Sequence, residues 1–484
     1  MNWWILRRGV HTSWLITYLG VGVLGGLVLA GVFPTFYFDN YLWLVVVTSL
    51  LFLGFWQRNI SVVPLLIIAG LLVGLVRGSA TQIEMSAYGG LVGKTATISG
   101  VVSEDVDVGK KGELVVRLVD LSMNGGNLPG KIWVSLNQKA DLKRSDRITI
   151  RGEVNRGFGS FAASIYHAKL VQATRDESSD IALNVRDKFS EGVNRYIDQP
   201  ESGLGLGYLL GQKSNLPDDL ILTLQAVGLT HIVVASGYNL SVLVRLTRRA
   251  FARVSRYLSF ISAIAMIVGF VSITGLSPSM TRAGIVAGLG LVAWYFGRKF
   301  HPVTLLIIVA SGTALWNPGY LWGDMGWLLS FLSFGGVMIV APLLQRYFFG
   351  DKEPGTLRQI AGETVSAQFV TLPIIIYSFG SFSLLSLLAN LMILPLVPLA
   401  MLVVFGVGFF AWLPIVAVMF GWLAQVVLGY MISVANFFAD ETWAQIEIQM
   451  PLWLVLVCYG AIAAAVIYLL RVTKYRLRDS SIVE

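Results

Sequence analysis

Long uninterrupted apolar runs are what most limits the folds open to this chain. About twelve occur, near 14–33, 41–56, 60–76, 229–245, 258–276, 280–296, 302–316, 327–345, 361–379, 384–411, 414–438 and 452–470. Most approach the ~17–25 residues that a helix needs to cross a bilayer. In hydrocarbon every backbone N–H and C=O must be satisfied inside the segment, which leaves helices or a closed barrel. The runs are continuous rather than alternating, so helices are expected and a membrane β-barrel is not. Charge agrees: 13% of residues are charged, against about a quarter in a soluble domain. Pro395 and Pro398 lie within the run 384–411 and leave open whether it crosses once or dips in and out.

The chain carries 36 Lys and Arg against 28 Asp and Glu, a formal net charge of +8. Basic residues collect on the cytoplasmic side of membrane proteins, and topology accounts for the excess; a polyanionic partner is allowed, not demanded. With the N-terminus inside, Arg58, the stretch from Arg245 to Arg256, Arg298-Lys299, the stretch from Arg346 to Arg358 and the tail from Arg471 to Arg478 all fall inside. The polar section at 78–200 then falls outside. The expected location is the cytoplasmic membrane, with both termini cytoplasmic. Arg7 and Arg8 precede an apolar stretch with no small-residue cleavage site, which reads as a retained first span.

Within that outer section the periodicity changes from helical to alternating. Strand-like runs cover Thr95–Val106, Glu113–Leu121, Lys131–Leu136, Arg147–Val154 and Tyr166–Ala173, separated by Gly-rich turns. Five short strands suit a small Greek-key barrel of the OB type; an SH3-like barrel would show the same pattern. Next, Phe189, Val193, Tyr196 and Ile197 form an apolar stripe at helical spacing within Leu183–Gln199. That helix either packs on the barrel or lies in the membrane surface, and the second is favoured. The expected fold class is a polytopic α-helical membrane protein of about twelve spans with an inserted small extracytoplasmic β-barrel, OB-like. Its parts are a three-helix membrane region at 1–77, the barrel at 78–177, amphipathic or interfacial helices at 178–228, a helical channel domain at 229–470 and a basic tail at 471–484.

Familiar enzymatic motifs fail on inspection. Gly93-Lys94-Thr95 resembles the end of a phosphate-binding loop, but Tyr88 stands where the first glycine belongs and a strand follows. Cys458 is the only cysteine, and the four histidines are scattered. No disulfide, metal site or cofactor is expected, and no enzymatic activity. Glycine pairs four apart (Gly22/Gly26, Gly70/Gly74, Gly207/Gly211, Gly284/Gly288) point to close internal helix packing.

Polar groups inside the apolar runs are more informative. His231, Ser236, Gly237, Asn239 and Ser241 interrupt one run that ends at Arg245, Arg248 and Arg249. Arg282 follows the proline break at Ser277-Pro278-Ser279, Asp324 opens another run, and Ser330, Gln368, Thr371 and Asn390 lie within runs. Such groups cost free energy in hydrocarbon unless they face protein or water. Each, alone, reads also as a helix cap or an interhelical hydrogen bond, and an Arg282–Asp324 pair is the structural alternative for that arginine.

These residues also carry a resemblance. The runs from Gly207 to Leu216, Gly228 to Leu243, Ser277 to Ala283, Asp324 to Phe331, Ala367 to Pro373 and Asn390 to Pro395 resemble, in order and spacing, the ComEC family of competence DNA-uptake channels. Three leading spans followed by a small barrel are also similar to that family's N-terminal region. There are departures. Asn239 stands where the family often has histidine, and Leu328 where it often has glutamine. Many members end in a metallo-β-lactamase-like domain; this sequence reaches Glu484 without an H-x-H-x-D-H motif, so no metal nuclease is expected from it.

The resemblance implies transport of one DNA strand across the cytoplasmic membrane during natural transformation. A charged strand needs a wet, polar path. The expected lining is His231, Ser236, Gly237, Asn239, Arg282, Asp324, Ser330 and Gln368, with Arg282 on phosphate. The barrel is expected to receive single-stranded DNA through a basic groove and stacked aromatics. Lys110, Lys111, Arg156, Phe158 and Phe161 are the candidates, whereas core packing is expected of Trp133. Expected partners are single-stranded DNA and membrane lipid, with a DNA receptor, a cytosolic helicase or motor, and a nuclease as separate chains. Two other classes stay open: a secondary transporter of a small anion using Arg282 and Asp324, and a membrane-anchored scaffold whose barrel recruits partners.

Overall fold

The computed structural model describes residues 9–33, 42–109, 113–138, 140–175, 180–212, 216–229, 237–275, 278–298, 301–350, 354–439 and 445–475. The chain divides into two compact units: Met1–Ser179 with Val303–Leu328, and Asp180–Pro302 with Leu329–Glu484. Among the described residues, eight helices are long and apolar enough to cross a membrane: Thr12–Val32, Ile60–Ser86, Arg256–Thr274, Met325–Phe349, Arg358–Phe379, Ser386–Phe409, Pro414–Ala439 and Leu452–Thr473. Val45–Gln57 and Pro302–Trp316 are shorter apolar helices. The run at 280–296 is the helix Pro278–Tyr295. The run at 229–245 becomes the helix Gly237–Ala252, whose second half carries Arg245, Arg248 and Arg249. The described helix has 16 residues, short of those in the set of eight, and its arginines make it amphipathic.

In the first unit, Thr12–Val32 packs against Val63–Ser86 through glycines on both helices. A methyl group at Gly22 or Gly26 would run into the Ile67 or Leu71 carbonyl, and one at Gly70 or Gly74 into the Leu19 or Val23 carbonyl. Removing Cβ lets the backbones approach, which is how helices gain dispersion contact in lipid. Pro302–Trp316 joins this pair from far along the sequence. Thr17 donates to Thr304 (2.9 Å), and Trp322 Nε1 donates to the Leu27 carbonyl (2.8 Å). Arg77 donates to the carbonyls of Leu315 (3.0 Å) and Trp316 (3.2 Å), satisfying the C-terminal end of that helix.

The same unit contains the barrel. Its long strands are β1 (Thr95–Val102), β2 (Leu114–Met123), β3 (Ile132–Leu136), β4 (Arg147–Arg156) and β5 (Ala163–Thr174). β1 pairs with both β2 and β4, β4 with β5, β5 with β3, and β3 with β2, so the ring closes. Only the β3–β5 pair is parallel among these five. The inward set is apolar and fully buried: Ile98, Val116, Leu118, Ile132, Val134, Ile148, Ile150, Val154 and Ile165. Closure removes the exposed edges an open sheet of this size would present. Arg175 ties the loop after β3 to the end of β5 by gripping Asp146 (3.0 Å) and Asp141 (3.2 Å).

The second unit is organised around Glu201–Leu210, in which every residue from Ser202 to Leu210 is buried. Val397–Phe409 and Pro414–Ala439 pack on it. The stripe on Ile181–Asn194 corrects the membrane-surface expectation. Val193 and Ile197 are buried in this core, the Phe189 ring covers Gly408, and the Tyr196 hydroxyl donates to the Ala411 carbonyl at 3.1 Å. The Phe189, Val193, Tyr196 and Ile197 stripe therefore meets helices of its own unit. The region 384–411 is helical throughout: Ser386–Ile393, a tight 3₁₀ turn at Leu394–Leu396, then Val397–Phe409. Both prolines sit at the first turn of a helical piece, where the missing N–H has no intrahelical partner to lose. A π-helical turn, Gly336–Val340, interrupts the helix that starts at Met325.

Candidate functional site

Two polar or aromatic constellations carry the expected residues, one in each unit. In the first unit it lies on the outer wall of β2, β3 and β5. Alternation along β3 turns Ile132 and Val134 inward and Trp133 outward. Trp133 is half-buried by ring contacts with Phe158 (5.8 Å) and Tyr166 (5.1 Å), and Phe158 meets Phe161 at 5.3 Å. Trp133 is thus a wall residue, a correction to the core packing expected of it. Phe158 and Tyr166 remain 46% and 47% exposed, large for apolar rings on a folded barrel. Phe158 and Phe161 belong to the loop between β4 and β5, and Gly157 and Gly159 allow its tight path. Gly159 lies against the Gly323 backbone, which fixes the loop beside the helix start at Asp324.

Charge on this wall is balanced. Arg117, opposite Trp133 in register, bridges Asp107 (2.7 Å) and Glu104 (3.3 Å), and Lys131 pairs with Glu104. Burial alone would lower the Arg117 pKa; Glu104, Asp107 and, at longer range, Asp324 raise it beyond its ordinary value. These cations are engaged by carboxylates. Lys110 and Lys111 lie outside the described residues. Arg156 is exposed at the end of β4.

Asp324 has a structural duty. Its carboxylate accepts the Trp327 N–H at 2.7 Å, capping the helix that begins at Met325. Trp327 in turn donates to Thr313 at 3.0 Å. Asp324 belongs to the first unit and Arg282 to the second.

In the second unit, His231 and Ser236 lie outside the described residues. Gly237 opens the helix Gly237–Ala252 and sits against Ala283. Asn239 is fully buried, and its amide donates to the Tyr208 carbonyl at 2.9 Å. Arg282 is 3% exposed, with its guanidinium 5.7 Å from the centre of the Phe331 ring, in cation–π range. Ser330, partly buried, precedes Phe331 on the same helix. Gln368 donates to the Ser386 hydroxyl at 2.6 Å, and its amide oxygen is buried without a hydrogen-bond partner among the described residues. Asn390, one turn beyond Ser386, has a buried amide oxygen in the same condition. Thr371 is satisfied within its own helix by the Ala367 carbonyl at 2.9 Å.

Some of this escaped sequence reading. Tyr208 and Ser386 partner the expected residues; Tyr208 lies in the run from Gly207 to Leu216 but is not singled out by it, and Ser386 carries no motif of its own. The π turn brings Gly336 against the Ser366 carbonyl, where a methyl group would lie 2.7 Å away. Gly335-Gly336 inside an apolar run was the available signal for that contact, and π turns cluster at functional sites.

A family profile described as "Competence protein" matches residues 208–472, more than half of the chain. Among curated proteins, ComE operon protein 3 of Bacillus subtilis (strain 168) is 22% identical over 204 residues. That alignment covers 42% of this chain and 25% of the relative, so the chain matches about a quarter of the relative's length. No solved structure matches.

Proposed function

The chain belongs to the competence protein family, and from that premise we propose that it carries one strand of DNA across the cytoplasmic membrane during natural transformation. The observation that carries this reading is Arg282: a guanidinium 3% exposed among membrane-type helices. An ionised group at that depth is expensive and marks pathways more often than anchors. The described sequence around it is one-sided, because no Asp or Glu occurs between Asp219 and Asp324. The amides of Asn239, Gln368 and Asn390 supply neutral donors and acceptors, which replace water along a strand without holding it. In this reading about twelve helices cross the membrane, both termini are cytoplasmic and the barrel is outside.

The barrel receives the strand. Numbered by its long strands, its ring order 1-2-3-5-4-1 with strands 3 and 5 parallel supports an OB-type assignment, in which loops 1–2 and 4–5 flank the ligand face. Lys110 and Lys111 fall in sequence between strands 1 and 2, and Phe158 and Phe161 belong to the second loop. A DNA receptor, a cytosolic motor and a nuclease act as separate partners.

The test is transformation frequency and uptake of labelled DNA in cells carrying Arg282→Gln, with protein level checked by immunoblot. Uptake is expected to fall by an order of magnitude or more at unchanged protein level. Wild-type uptake in that strain removes Arg282 from the path. Because the same arginine would serve a small anion, unchanged transformation in a gene deletion would return that transporter reading.

A further inference from the structure

The wall of the barrel formed by β1, β4 and β5 is chemically unlike the aromatic wall. Its outward positions fall into rows fixed by strand register. Thr97, Arg151 and Lys169 form one row; Ser99, Thr149 and Gln172 the next; Val101, Arg147 and Thr174 the third. Arg147, Arg151 and Lys169 are exposed, and the Ser99 and Thr149 hydroxyls share a 2.8 Å hydrogen bond between them. Glu153, one step above Arg151 and opposite Thr95, is the acidic residue on the same strand face. Among the described residues, none of the three cations makes an ion pair.

Arg151 and Lys169 are direct cross-strand partners. Like charges placed so destabilise an antiparallel pair. A sheet that keeps such a pair, on a face of hydroxyls, is built to meet negative charge. Successive rows lie two residues apart along a strand, roughly 7 Å. Arg147 lies two rows from Arg151, roughly 14 Å, which suits every second phosphate of an extended single strand, so one phosphate meets Arg151 and Lys169 and the next but one meets Arg147.

We infer that this second wall, and not the aromatic wall, binds the phosphodiester backbone of single-stranded DNA, while the rings of Trp133, Phe158 and Tyr166 contact bases. The inference rests on the reading of the barrel as the strand's receiver. The aromatic wall has its cations engaged by Glu104 and Asp107, so neutralising phosphate falls to Arg147, Arg151 and Lys169.

The experiment uses the full chain in lipid nanodiscs and fluorescence anisotropy of a labelled oligo(dT) over a salt series. The triple variant Arg147→Gln, Arg151→Gln, Lys169→Gln should weaken binding about tenfold at low salt and flatten the log–log salt slope by about 1.4, from ~0.7 for each of the two phosphates no longer neutralised. Its thermal midpoint should equal or exceed that of the parent, since a repulsion is removed; a merely structural role would lower it. Trp133→Ala with Phe158→Ala should weaken binding without changing the slope. An unchanged slope in the triple variant overturns the inference, and if the ring variant loses binding the receiving role survives. Parent protein that fails to bind oligo(dT) at low salt sinks both. Loss of phosphatidylglycerol retention with intact oligonucleotide binding makes the wall a lipid surface and also overturns the inference.

Discussion

Gly25 and Gly26 are neighbours in one helix and should respond oppositely to the same substitution. A Cβ added at Gly25 meets nothing within 4 Å. One added at Gly26 meets the Leu71 carbonyl carbon and the Leu75 nitrogen at 2.9 Å, with the Leu71 oxygen nearer still. Each Gly→Ala change gains the same helix propensity, about 0.5–1 kcal/mol. That gain cancels in the difference between the two variants. What remains is the clash, and its partner is backbone of a packed helix, which has no rotamer to change. Overpacking of this kind costs about 1–3 kcal/mol. For a unit of this size that is a gap of roughly 2–12 °C in melting midpoint, at ~2–4 °C per kcal/mol. Thermal unfolding of the two purified variants, followed by tryptophan fluorescence at one scan rate, measures it. Gly25→Ala should melt at or above the parent, and Gly26→Ala below. Equal midpoints would refute the claim that this glycine ridge sets the contact between Thr12–Val32 and Val63–Ser86.

Further tests address other contacts. Asn239→Ala leaves the buried Tyr208 carbonyl without that donor and should cost about 1–3 kcal/mol, read as a lower melting midpoint. Asp324→Asn keeps a cap for the Trp327 N–H, whereas Asp324→Ala removes it and should cost about 0.5–2 kcal/mol more in the same measurement. Burial pushes the Tyr88 phenol from its ordinary 10.0 up to about 12, while the hydroxyl donates to the Pro129 carbonyl at 2.7 Å. Its contribution to stability is therefore complete below about pH 10 and lost as pH climbs to about 12. Chemical denaturation across that window should show a fall that Tyr88→Phe lacks.

Local pattern made much of this fold legible. Alternation between Gly-rich turns placed all five barrel strands to within a few residues. Apolar length placed the helices, because both signals live within one element. What escaped was long-range. No local signal shows that β3 pairs in parallel with β5, nor that Pro302–Trp316 returns to the first unit, since those contacts join positions far apart in sequence. The stripe of Phe189, Val193, Tyr196 and Ile197 was visible, but its partner, around Gly408 and Ala411, was not. Residue type singled out Asn239, Asp324 and Gln368, yet type alone does not separate a cap from a lining group. Asp324 acquires its capping role only once Trp327 is placed above it.

Splitting the first unit across the sequence has a consequence for biogenesis. Its second segment begins at Val303 and ends at Leu328, 149 residues after Ser179. At ~5–20 residues per second, the ribosome delivers that ending roughly 7–30 s later. Throughout that interval the Arg77 guanidinium and the Thr17 hydroxyl lack their eventual neighbours. A nascent chain must therefore carry an unfinished helical surface while more than a hundred intervening residues are synthesised.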